Sequence, residues 1–127
     1  MRMTTIRRFT APALASLLTL TAAMGTAQAA DWHITTSKAS QTTANLTWDV
    51  VVDKEYTICW RLDSASGTVC DGESDTVTPR TSSNGYFTDS QGAHMTVLLY
   101  SLVCGQDYKL RIKRGLLFDT KVFRINC

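Results

Sequence analysis

Leu102-Val103-Cys104-Gly105-Gln106-Asp107-Tyr108-Lys109-Leu110-Arg111-Ile112 reads as a tight corner followed at once by a strand. Gly105 permits a backbone turn that a residue with a Cβ resists. Tyr108, Leu110 and Ile112 recur at alternate positions and share one face, while Lys109, Arg111 and Lys113 share the other. Just beyond, Gly115-Leu116 suits a two-residue hairpin turn with glycine first, a type II′ turn. That turn sets Arg114 opposite Leu117. The register then runs outward through Tyr108 opposite Phe123 and Asp107 opposite Arg124, and arrives at Cys104 opposite Cys127.

The start of the chain reads as a targeting segment, residues 1–29. Arg2, Arg7 and Arg8 form a positive head, an apolar run extends from Ala11 to Met24, and Ala27-Gln28-Ala29 is a small-residue cleavage signal. The apolar run is shorter than the roughly 20 residues a membrane span needs, and it contains Pro12. The expectation is therefore an exported protein, periplasmic or extracellular, with a single domain over residues 30–127 and no membrane span after cleavage. The full chain has 13 Lys and Arg against 11 Asp and Glu. Three of the arginines belong to the leader, leaving 10 against 11, so the remaining domain is close to neutral. Nothing in that balance points to nucleic acid.

The four cysteines, Cys59, Cys70, Cys104 and Cys127, all lie beyond the leader. An even count in an exported chain argues for two disulfides. The hairpin register joins Cys104 to Cys127, since cross-strand pairs are close enough for a bridge. Cys59 and Cys70 then remain for each other across the turn Ser64-Ala65-Ser66-Gly67. A metal site is the rival use of four cysteines, but no C-x-x-C pair is present.

The rest alternates between strands and turns. Trp32–Thr36 reads as a first strand and residues 37–43 as a turn. Ala44, Leu46, Trp48 and Val50 alternate with polar residues as a half-buried second strand. Tyr56, Ile58, Trp60 and Leu62 do the same as a third. Thr68-Val69-Cys70 is expected to return beside it, followed by a hydrophilic loop from Asp71 to Asp75. Thr76–Thr78 is a short strand stopped by Pro79. Tyr86-Phe87 is expected as an edge segment inside a polar stretch, and His94–Tyr100 as a further strand with Val97 and Leu99 inward.

Leu102, Gly105 and Tyr108 resemble the tyrosine corner of immunoglobulin-like sandwiches, in which a phenol caps backbone groups at the end of a strand. The segment is similar to the Leu-x-Pro-Gly-Thr-x-Tyr corner of fibronectin type III domains, with Cys104 in place of the proline and Gln106 in place of the threonine. Leu46/Trp48 and Tyr56/Ile58/Trp60 resemble the second and third strands of the same family. The expected fold class is thus all-β, an immunoglobulin-like or fibronectin type III-like sandwich of about seven antiparallel strands.

Chemistry is sparse. His33 and His94 have no metal-ligand spacing, and no nucleophile elbow or phosphate-binding glycine loop occurs. The expectation is a protein without catalytic residues, cofactor or metal. The acids between Asp71 and Asp75 offer oxygen ligands for calcium, against a plain solvated loop. Asn45-Leu46-Thr47 matches the glycosylation sequon by pattern alone. Two surfaces suggest contact with a partner. One is the hairpin tip Arg114, Leu116, Leu117 and Phe118, because exposed apolar runs usually touch something. The other is the stripe Lys109, Arg111 and Lys113, suited to an acidic protein surface or an anionic sugar. The resemblance implies a noncatalytic binding or interaction module whose partner is another exported or surface protein, or a glycan. The alternative is an inhibitor or immunity-type protein that blocks a secreted enzyme.

Overall fold

The computed structural model describes residues 26–127; the leader expectation falls outside them as far as Gly25. Among the described residues nine strands, against the expected seven or so, form two sheets. They are β1 (Gln28–Ala29), β2 (Thr35–Lys38), β3 (Ala44–Asp49), β4 (Tyr56–Leu62), β5 (Glu73–Val77), β6 (Tyr86–Asp89), β7 (Gly92–Leu99), β8 (Asp107–Arg114) and β9 (Leu117–Arg124). The larger sheet runs β1-β9-β8-β4-β5 and the smaller β2-β3-β7-β6. All pairs are antiparallel except the short β1–β9 contact.

Alternation explains the core. Ala44, Leu46 and Trp48 of β3 face Tyr56, Ile58 and Trp60 of β4 and Leu110 and Ile112 of β8, and all are buried. Trp48 and Trp32 both pack edge-on against Tyr56, at 5.6 and 5.5 Å. The last hairpin has the expected register: Arg114 opposite Leu117, Tyr108 opposite Phe123, Asp107 opposite Arg124. Gly115 has φ +59°, while Leu116 does not have positive φ, as a glycine-first two-residue turn requires. The bridges are Cys59–Cys70 and Cys104–Cys127, with Cα separations of 4.9 and 5.1 Å. At the corner, Gly105 takes φ +81° and the Val103 N–H donates to Tyr108 Oη at 2.9 Å.

Three expectations need correction. Trp32 to Ile34 is not strand: His33 sits at φ +52°, and β2 begins only at Thr35. Trp32 and Ile34 are nonetheless buried, in an arm tied to both sheets. Asp49 N–H donates to Trp32 O at 2.9 Å, Trp32 N–H to Asp119 Oδ2 at 2.8 Å, and Lys121 Nζ to Ile34 O at 3.0 Å. Second, the strand beside β4 is not Thr68–Cys70, which is a single 3-10 turn at Val69–Asp71. Third, most of the stretch expected as an acidic loop is the edge strand β5. Its polar, exposed residues carry no apolar alternation, because an edge strand has one backbone side in solvent and little to bury.

Candidate functional site

The outer face of the larger sheet is built by alternation on β8 and β9. Lys109 stands opposite Val122, Arg111 opposite Thr120 and Lys113 opposite Phe118. The Arg111 guanidinium lies over the Phe118 ring, 4.7 Å from its centroid, and its Nε is buried without a hydrogen-bond partner among the described residues. Lys113 likewise has no ion pair or hydrogen bond among the described residues, although it is half-buried. Other cations nearby are engaged. Lys109 is 3.8 Å from Asp63, and Arg61 is 3.8 Å from Asp71 and donates to Thr68 O at 3.0 Å. Arg124 pairs with Asp107 at 2.8 Å, and that pair holds the Asp107 carboxyl below the usual carboxylate range. Arg111 and Lys113 are thus adjacent cations, partly desolvated and uncommitted. Such groups favour an anionic partner, since their loss of hydration is otherwise uncompensated.

Apolar side chains flank them. Leu116 at the hairpin tip and Val122 on β9 are each 53% exposed. The expected contact set therefore divides. Lys109, Arg111, Lys113 and Phe118 share the outer face, and Leu116 stands at its end. Arg114 and Leu117 point the other way. Arg114 donates to Tyr56 Oη at 3.0 Å and lies 5.5 Å from the Trp32 ring centroid, closing the end of the core. Leu117 packs against the core cluster. Val122, exposed on the same face, was not in the expected contact set, though the register that sets Lys109 opposite it follows from Gly115-Leu116 alone.

A second polar constellation lies at the same end of the sandwich, on the outer side of the smaller sheet. Asp49 at the end of β3 takes His33 Nδ1 at 2.6 Å on one oxygen and His94 Nδ1 at 2.9 Å on the other. The other nitrogen of His94 meets Asp89 Oδ1 at 2.7 Å, and Phe87 lies against the imidazole with centroids 5.0 Å apart. With a carboxylate on each nitrogen, His94 satisfies both bonds only as imidazolium. The hydrogen bond to Asp89 raises its pKa, as the bond to Asp49 raises that of His33. Asp89 is correspondingly lowered, chiefly by His94. Both His94 nitrogens are hydrogen-bonded to carboxylates, Asp49 on β3 and Asp89 on β6, so this arrangement ties three strands of the smaller sheet together. Nothing in the sequence brings His33 and His94 together, because the register between β3 and β7 spans a long connection.

The acids between Asp71 and Asp75, weighed as calcium ligands against a solvated loop, are spread out: Asp71 lies beside Arg61, and Glu73 and Asp75 lie along β5. Among the described residues no three His, Cys, Asp or Glu side chains gather to hold a metal ion. No helix among them is long and apolar enough to cross a membrane.

No family model matches the chain, and no curated protein matches it. A solved structure described as "Myokine structure" is similar over 79% of this chain and 99% of its own, with TM-score 0.49 and 11% identity.

Proposed function

We propose that the chain is an exported, noncatalytic binding module that engages another exported or surface protein through the outer face of β8 and β9. The single observation behind this reading is the pair Arg111 and Lys113, half-buried cations without a counter-charge, Arg111 over Phe118 and Lys113 opposite it, with Leu116 and Val122 exposed nearby. An acidic partner surface with apolar anchors matches that face. The apolar residues supply affinity, and the cations supply attraction over distance and orientation.

The fibronectin type III-like or immunoglobulin-like assignment belongs to the same proposal. It is supported by the Tyr108 bond to Val103 and by the strand order, β2-β3-β7-β6 against β5-β4-β8-β9-β1. That order is the one constant-type immunoglobulin sandwiches use, with one strand added at each edge of the larger sheet. The second reading, an inhibitor of a secreted enzyme, draws on the hairpin itself. It is a two-residue tip on eight-residue strands, braced by a bridge at its far end, and a preorganised element loses less entropy on binding.

The test is capture. The mature protein, immobilised, is expected to retain a partner from periplasmic or culture extract. Leu116→Asp is expected to abolish retention while the melting temperature stays nearly unchanged, because the tip side chain packs on nothing in the core. Retention by a folded Leu116→Asp variant at the native level overturns the assignment of this face. Inhibition of a captured hydrolase selects the second reading.

A further inference from the structure

The arm from Ala30 to Ile34 covers one side of the sandwich; the opposite side is open. β5 ends its sheet, with no strand beyond it among the described residues. Across from it, β6 pairs with β7 only through Gly92–Met95. Gly85 O accepts the Thr96 N–H at 2.9 Å, and beyond that bond no strand among the described residues pairs with this edge of β7. Between the two edges lies a cavity of about 120 Å³, lined by Ile58, Trp60, Val77, Val97 and Leu99 with Asp75 at its rim. Leu98 and Tyr100, both exposed, stand beside it.

The inward face of β5 has an unusual composition for a strand beside a core. Glu73 is opposite Trp60, Asp75 opposite Ile58 and Val77 opposite Tyr56. Cross-strand partners share a face and Tyr56, Ile58 and Trp60 belong to the core, so Glu73, Asp75 and Val77 lie on the core-facing side of β5, where at this edge both carboxylates remain exposed and Val77 is half-buried. Asp75 Oδ1 accepts from Tyr100 Oη at 3.2 Å, while Glu73 has no partner among the described residues. Inward carboxylates on an edge strand block pairing with apolar or acidic strands. They block a second copy of β5 for the same reason, because carboxylate would be set against carboxylate.

We propose that the free edge of β5 is a strand-addition site for an extended segment of a partner protein, with basic residues opposite Glu73 and Asp75 and an apolar residue opposite Val77. A strand added there places its inward Cβ atoms about 4.5–5.5 Å from those of β5, within reach of a lysine or arginine to either carboxylate. Main-chain hydrogen bonds to the edge supply the affinity common to all such segments, and the inward side chains supply the choice among them. The apolar side chain extends into the cavity between the sheets. Ser74 and Thr76 alternate with these residues and are exposed, Thr76 also bordering the cavity, so they place little constraint on the other face of the added strand. This site is separate from the basic face of β8 and β9 and selects the opposite charge.

Two short blocked peptides of alternating threonine test the proposal. One carries lysine, arginine and valine at the alternate positions; the other carries glutamate in place of both cations. Amide chemical-shift mapping on the mature protein is expected to show the basic peptide perturbing β5 and residues 97–99, and the acidic peptide perturbing neither. In a Glu73→Lys, Asp75→Lys variant with a dispersed spectrum, the preference is expected to reverse. The two peptides on the unaltered protein suffice if that variant does not fold. Equal perturbation by both peptides, perturbation confined to other strands, or no perturbation by the basic peptide overturns the assignment. Failure here leaves the outer-face reading standing, since that face is tested by a different substitution.

Discussion

Two buried phenols anchor opposite ends of the molecule, and their bonds differ in number. Tyr108 Oη accepts one hydrogen bond, from Val103 N–H, and its ring stacks on Phe123 with centroids 5.7 Å apart. Tyr56 Oη accepts two, from Val51 N–H at 2.9 Å and from the Arg114 guanidinium at 3.0 Å. A neutral hydrogen bond contributes about 1 kcal/mol net and one to a charged group about 1.5–3 kcal/mol. Tyr108→Phe is therefore expected to lower stability by about 1 kcal/mol, and Tyr56→Phe by roughly 2–4 kcal/mol. Urea melts measure both; equal small losses would mean that the Arg114 bond contributes nothing. The Tyr108 corner was legible from Leu102, Gly105 and Tyr108. The Tyr56 cap was not, because its second donor, Arg114, comes from β8, which only the fold brings beside the Val51 turn that precedes Tyr56.

The His33–Asp49–His94–Asp89 network makes stability depend on pH. Both imidazoles hold their protons more tightly folded than unfolded, so their contribution is complete below the ordinary value of 6.5 and drains as pH rises through the folded values. Asp89 is lowered, so its contribution is present above the ordinary value of 3.8 and is lost as pH falls through the folded value. The network is thus expected to stabilise most between 3.8 and 6.5. The urea midpoint should fall as pH rises through neutrality, and His94→Gln should flatten that fall. A midpoint that rises across the same range would contradict the network.

At the scale of elements, turn chemistry was readable and edges were not. Gly115-Leu116 fixed the β8–β9 register and, through it, the Cys104–Cys127 bridge. Only the Thr76-Val77 end of β5 was read as strand, because Glu73 to Asp75 carry no period-two apolar pattern. The first strand was misplaced because Trp32 and Ile34 alternate as a strand would, yet the positive φ of His33 turns them into an arm. Each bridge is expected to contribute about 2–4 kcal/mol by the loop-closure argument. Losing Cys104–Cys127 should also free the chain end. The Gly105 N–H, which donates to Ile125 O at 2.8 Å, should then exchange with solvent faster in a Cys104→Ser, Cys127→Ser variant. Unchanged exchange would show that the ladder alone holds the end. Removing Cys59–Cys70 should instead loosen the Val69–Asp71 turn from the outer face and leave Gly105 protected.

For the whole molecule, near-neutral charge conceals two faces of opposite sign. Arg111 and Lys113 lie on the outer face of the larger sheet, and Glu73 and Asp75 on its inward edge at β5. Sequence alternation alone placed Lys109, Arg111 and Lys113 together, but it gave no means of telling engaged cations from free ones. That distinction needed the positions of Asp63, Asp71 and Asp107. Charge reversal at Lys113 is expected to slow association with an acidic partner and weaken its salt dependence, with less effect on dissociation. The most direct measurement is side-chain oxidative footprinting of the mature protein, free and with its captured partner. The account predicts that Leu116, Phe118 and Val122 become protected in the complex while Leu98 and Tyr100 stay reactive. Protection at Leu98 and Tyr100 with Leu116, Phe118 and Val122 unchanged would contradict the claim that the outer face of β8 and β9 is the contact surface.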